Sequence, residues 1–139
     1  ECNLPSPAIV LVADERALKQ VLINLVSNAV KFSPDRSLVR IDAQVTSEHL
    51  RISVADQGAG IAAEDVPRAL TPFTQLDGSL SRAHEGTGLG LPLAKHLTDL
   101  HDGALSIEST LGEGTVVHVD LPLSRVVGKD LASKETASL

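Results

Sequence analysis

Tryptophan, tyrosine and methionine are absent from this chain of 139 residues, and phenylalanine occurs only twice. A core without aromatic bulk has to be built from Leu, Val, Ile and Ala. The 42% of hydrophobic residues is enough for one such core in one domain. A single cysteine, Cys2, excludes an intrachain disulfide and fits a reducing compartment. No apolar run approaches the roughly 18 residues of a membrane span, and no signal peptide is visible. A basic surplus is missing too. The net charge of −6 argues against a general nucleic-acid binder and leaves any anionic ligand to local positive groups. There is no internal repeat and no low-complexity run. The chain opens on Glu1 rather than Met, so it reads as a piece of something longer.

What is present is periodic. After a Pro-rich lead-in, Ile9 to Val12 reads as a short apolar strand, and Asp14 stands where a helix N-cap belongs. Leu18, Val21, Leu22, Leu25, Val26 and Ala29 recur at helical spacing, predicting a helix from Glu15 to Phe32 that "SPD" at 33–35 ends. Ile23 and Val30 widen the stripe, which predicts a largely buried helix. Val39, Ile41, Ala43 and Val45 alternate, as do Leu50, Ile52 and Val54, giving two half-buried strands. A short helix near Glu64–Leu70 and a polar stretch from Gln75 to Glu85 follow. Leu93, Leu97 and Leu100 mark another helix, with Pro92 in its first turn. Leu105 and Ile107, then Val117, Val119 and Leu121, predict a closing hairpin around "TLGEG". The expected architecture is an α+β two-layer sandwich, with about three helices on one face of a mostly antiparallel sheet. Residues 1–123 form the domain, and 124–139 read as a C-terminal tail or linker.

Three stretches carry chemistry. In "NLVSNAVKF", Asn24, Asn28 and Lys31 lie at i, i+4 and i+7, on one side of an otherwise apolar helix. Buried amides need hydrogen-bond partners, and local backbone could supply them. Two carboxamides aligned with a lysine equally suit Mg²⁺ and phosphate. In "VADQGAGI", Asp56 shares the parity of Leu50, Ile52 and Val54 and so points inward. It either caps its own loop or accepts from a ligand amine. In "EGTGLGLPL", glycines at every second position lead into a helix N-terminus, whose free N–H groups favour phosphate. Arg82 and His84 lie just upstream, and Arg82 is the better phosphate partner. The G-x-G-x-G spacing is not the dinucleotide fingerprint, and no Walker A G-K-[ST] is present.

The order "NLVSNAVKF", "DQGAGI", "TPF", "EGTGLGL", "GEGT" resembles the N, G1, F and G2 boxes of the ATP-binding catalytic domain of sensor histidine kinases. That family belongs, with gyrase, HSP90 and MutL, to the Bergerat nucleotide-binding fold, and the match covers about residues 9–123. The resemblance implies Asn28 as the Mg²⁺ ligand, Asn24 beside it at the phosphates and Lys31 on phosphate. It implies Phe32 on the adenine side, Asp56 accepting the adenine amine, and Gly58 and Gly60 shaping the base pocket together with Ile61. Gly86, Thr87, Gly88, Leu89, Gly90 and Leu91 would form the lid hinge and triphosphate cradle, with Arg82 on the lid. Thr115 would look into the adenine pocket. The F box departs from the pattern, with Leu70 and Thr71 where an earlier Phe is usual, leaving Phe73. Asp102 replaces a usual glycine.

The implied function follows the same resemblance. Gyrase- and HSP90-type ATPases carry a glutamate base where this chain has Asn24, and an amide takes no proton at neutral pH. The site should therefore hold Mg-ATP and present the γ-phosphate to another nucleophile. None of His49, His84, His96, His101 and His118 sits in a phosphoacceptor context. The acceptor is expected on an upstream helical domain, dimeric in the full-length kinase, with a response-regulator receiver domain next in line. The resemblance implies a cytoplasmic domain, of a kinase that can be membrane-anchored, with no nucleic acid and no direct membrane contact. A nucleotide-sensing pseudokinase and an anti-sigma-type serine kinase are the alternatives of the same fold.

Overall fold

The computed structural model describes residues 1–3, 10–71 and 90–126. Helix α1 runs over Glu15–Phe32, because Asp14 caps it by accepting from the Ala17 N–H at 3.1 Å. Ser33 closes it, with its hydroxyl donating to the Ala29 carbonyl at 2.6 Å, and Pro34 follows. Strands β2 (Arg40–Val45) and β3 (His49–Asp56) form an antiparallel hairpin. A 3-10 turn over Ala63–Asp65 leads into the one-turn helix α2 (Val66–Ala69). Helix α3 (Gly90–Leu100) is followed by the hairpin of β4 (Ala104–Thr110) and β5 (Gly114–Pro122). The two-residue strand β1 (Cys2–Asn3) pairs parallel to β2, inside what the sequence presented as a lead-in. The sheet order is β1-β2-β3-β5-β4, so β5 inserts between β3 and the edge strand β4.

The core lies between this sheet and the helices. Val21, Leu25 and Ala29 of α1, and Leu91, Ala94 and Thr98 of α3, meet Leu50, Ile52, Val54, Leu105, Val117, Val119 and Leu121. Each large aliphatic buried here contributes about 1.5–3 kcal/mol, which explains how the core holds together with no Phe, Tyr or Trp among the buried described residues. One expectation is corrected. α1 is not largely buried, because Ile23 and Val30 are 58% and 60% exposed. A helix in a two-layer fold has neighbours on one side only, and these two residues lie opposite the buried line. Residues 124–126, placed by periodicity in the tail, belong to the fold. Leu11 pairs with Val126, and the Arg125 guanidinium donates to the carbonyls of His101 at 2.8 Å and Val12 at 2.9 Å. Asp102 adopts the left-handed conformation (φ 59°), which Asp tolerates better than most residues, so the missing glycine does not disturb the end of α3.

The opposite face of the sheet is polar. Arg51 donates twice to Asp120, at 2.7 and 2.9 Å, and holds that carboxyl below the usual carboxylate range. His118, 8% exposed, bridges the Ser53 hydroxyl at 2.7 Å and the Glu108 carboxylate, which its hydrogen bond likewise lowers. A depressed folded-state pKa contributes stability above the unfolded value, near 4 for a carboxyl, and that contribution is lost as pH falls through the folded value. Asp120→Asn should therefore lower urea stability at pH 7, and its deficit against wild type should shrink at about pH 3. An equal deficit at both pH values would show that the ion pair adds no charge-dependent stability.

Candidate functional site

The register of three strands lines up Asp56 on β3, Thr115 on β5 and Ser109 on β4. Thr115 is buried and shares the parity of Val117 and Val119, so this row lies on the helix side of the sheet, at its end. Asp56 Oδ1 accepts from the Gly58 N–H at 2.8 Å and from the Thr115 N–H at 3.3 Å. Asp56 thus caps its own loop with one oxygen, while Oδ2 has no hydrogen-bond partner among the described residues. The two readings left open by the sequence are compatible, one for each oxygen.

Two glycines bring the backbone around this carboxylate. A Cβ on Gly58 would run into the Phe32 carbonyl, so the loop after β3 packs directly on the C-terminal end of α1. Gly60 has φ +79°, and a Cβ there would run into the Thr110 carbonyl, so the same loop also packs on the β4–β5 turn. Beside it opens a cleft of about 750 Å³, lined by Asp56, Ala63, Val66, Ile107, Ser109 and Thr115 among others. Its lining mixes apolar Ala63, Val66, Ile107 and Val116 with the acceptor groups of Asp56, Glu108 and Glu113. That chemistry suits a flat ligand carrying N–H groups.

The polar strip of α1 lies near the first residue of α3. Asn24 Oδ1 accepts from Gln20 Nε2 at 2.7 Å, and its Nδ2 donates to the Gly90 carbonyl at 3.3 Å. Asn28, one turn further on, is half-buried, and Lys31 is exposed in the last turn. Phe32, half-buried, joins this strip to the Asp56 loop through Gly58. Leu91 is a core residue, so its side chain packs inside the domain and is not available to a ligand. Phe73, Arg82, Gly86, Thr87, Gly88 and Leu89 lie outside the described residues.

Sequence reasoning missed Ser109, whose hydroxyl accepts from the Ile61 N–H at 2.6 Å and lies 2.8 Å from Thr115 Oγ1. The available signal was its inward parity with Leu105 and Ile107 next to a predicted turn. Two further polar clusters are structural. His101 joins α3 to the α1 cap, with Nε2 accepting from the Asp14 N–H at 3.1 Å and Nδ1 bonded to the Leu97 carbonyl at 2.8 Å. The Ser53–His118–Glu108 chain has the order of an acyl-transfer triad. It lies on a flat sheet face whose strand backbones pair with each other, so no oxyanion hole adjoins Ser53 among the described residues.

Comparison with known proteins gives one consistent neighbourhood. A family model described as "Histidine kinase-, DNA gyrase B-, and HSP90-like ATPase" matches residues 13–125. The chain is 48% identical over 120 residues to histidine protein kinase DivJ of Caulobacter vibrioides, covering 86% of this chain and 20% of DivJ. It thus spans about a fifth of the length of that curated relative. Among solved structures it resembles full-length ShkA in complex with AMPPNP, with a TM-score of 0.74 and 32% identity over 87% of this chain and 24% of ShkA. It also resembles the nucleotide-free catalytic domain of histidine kinase ThkA, with a TM-score of 0.67 and 31% identity over 79% of this chain and 69% of that one.

Proposed function

Because the chain belongs to the histidine kinase-, DNA gyrase B- and HSP90-like ATPase family, we propose that it is the ATP-binding catalytic domain of a sensor histidine kinase. It binds Mg-ATP and passes the γ-phosphate to a histidine on a helical, dimeric domain of the same kinase, from which a response-regulator receiver domain takes it. The observation that carries this reading is the free acceptor edge of Asp56, fixed by Gly58 and Thr115 at the floor of the cleft. An ionised carboxylate can only accept, and the adenine amine offers donors.

The remaining residues fit the two ligands. Among the described residues no three His, Cys, Asp or Glu gather into a metal cage. Mg²⁺ is commonly held by one or two protein oxygens together with substrate phosphates, and Asn28 is the candidate oxygen here. When bound, the ion neutralises phosphate charge. Lys31 would pair with phosphate oxygens, and Asn24, bonded to Gln20 and Gly90, would keep α1 and the start of α3 together beside them. Asn24 offers water no general base. The incoming imidazole needs none, because its nitrogen lone pair attacks the γ-phosphorus as the bond to the β-phosphate oxygen breaks and ADP leaves. No described helix is long and apolar enough to cross a membrane. The cytoplasm, where ATP is available, is the proposed location.

The test uses radiolabelled ATP. The chain alone should bind nucleotide, hydrolyse it slowly and acquire no stable label on its own histidines. Adding the His-bearing helical domain of the same kinase should label that domain with acid-labile phosphate, since bringing donor and acceptor together removes much of the entropic barrier. Chelating Mg²⁺ or substituting Asn28→Ala should suppress the label. Brisk hydrolysis by the chain alone would make it an ATPase, acid-stable label would indicate a serine or threonine acceptor, and binding without transfer would leave a nucleotide-sensing module.

A further inference from the structure

We propose that Ser109 sets the base specificity of the cleft by consuming the one proton of the Thr115 hydroxyl. The inference rests on reading the cleft as an adenine site and assigns a positioning residue within it.

The argument is a proton count. A serine hydroxyl has one donor and two acceptor positions. Ser109 Oγ has three partners: the Ile61 N–H at 2.6 Å, the Gly114 carbonyl at 3.0 Å and Thr115 Oγ1 at 2.8 Å. The amide can only donate and the carbonyl can only accept, so the Ser109 proton goes to Gly114 and one lone pair goes to Ile61. The contact with Thr115 uses the second lone pair, and Thr115 is its donor. The Thr115 hydroxyl is left with lone pairs alone for a ligand. Its backbone N–H donates to Asp56 Oδ1 at 3.3 Å, which holds the carboxylate and the hydroxyl side by side. Both groups then accept, and neither can donate to a carbonyl oxygen at the base's 6-position. Ser109 therefore extends the discrimination made by Asp56 to a second atom.

The prediction separates this from a packing role. Ser109→Ala frees the Thr115 proton, which can then meet a carbonyl at the 6-position. The ratio of ATP to ITP affinity should fall roughly fivefold, the worth of one typical hydrogen bond. The Ile61 N–H also loses its acceptor, but that weakens both nucleotides alike and cancels in the ratio. Ser109→Thr, which keeps the hydroxyl, should keep the ratio. Thr115→Val should lower it, and adding Ser109→Ala to Thr115→Val should change it no further. The measurement is calorimetry or competition with ATP and ITP on each variant, and Thr115→Val alone carries the test should Ser109→Ala not fold. A wild-type domain indifferent to ATP and ITP would overturn the adenine-site reading itself. A wild-type preference that survives Ser109→Ala or Thr115→Val unchanged would leave that reading standing and overturn the role given to Ser109.

Discussion

Asp56→Asn should weaken ATP binding by about tenfold to a hundredfold while leaving the domain folded. The amide oxygen can replace Oδ1 and keep accepting from the Gly58 and Thr115 N–H groups, so the local turn has no reason to open. The amide nitrogen then stands where Oδ2 stood, and it meets the adenine amine donor to donor. A buried polar group left in such a mismatch costs about 1–3 kcal/mol, and each 1.4 kcal/mol is tenfold in affinity. The same logic predicts that the unmodified domain prefers ATP to GTP by roughly tenfold or more, because guanine presents a carbonyl oxygen to the carboxylate. In Asp56→Asn that oxygen would face an N–H₂, so the gap between the nucleotides should narrow. Competition against a fluorescent ATP analogue, with a thermal melt as folding control, reads both effects. Undiminished ATP affinity in a folded variant would remove Asp56 from the base site.

The second large effect is on stability. Gly60→Ala should cost about 2–5 kcal/mol, which combines 1–2 for a left-handed alanine with 1–3 for overpacking. Both terms have a visible cause, since Gly60 has φ +79° and its Cβ would press on the Thr110 backbone. Gly112 supplies an internal control, because its φ is +82° but its Cβ would meet nothing within 4 Å. Gly112→Ala should therefore carry only the conformational part, about 1–2 kcal/mol. Against the 5–15 kcal/mol of a typical domain the difference is easily read by urea denaturation. Equal losses in the two variants would mean that the loop after β3 is not clamped to the β4–β5 turn. A folded but weakened Gly60→Ala domain should also bind nucleotide less well, because the clamp holds the loop that places Asp56.

Much of this was legible in the chain because it depends on neighbours in sequence. The span of α1 followed from the Asp14 cap, the apolar spacing and Pro34, all within a few residues of what they control. Strand alternation gave the inward parity of Asp56 and Thr115, since a side chain's face is fixed by counting in twos. The boxes from Asn24 to Thr115 carry the family because each is a local run of residue types. What failed locally did so for a tertiary reason. Ile23 and Val30 match the buried pattern, yet they are exposed because only one layer covers α1.

The sequence by itself determined the elements, the faces of the strands and the residue types at the site. Only the tertiary structure decided which of them meet. That β5 lies between β3 and β4, and so sets Thr115 between Asp56 and Ser109, is a matter of strand order, which periodicity does not encode. The division of Asp56 into a capping oxygen and an open one depends on an amide 59 residues away. Asn24 bonds across 66 residues to Gly90, and the need for Gly58 comes from a carbonyl at the far end of α1. Hydrogen bonds and close contacts act over a few ångströms of space, whatever the separation along the chain, so the roles of these residues emerge only when the chain has closed on itself.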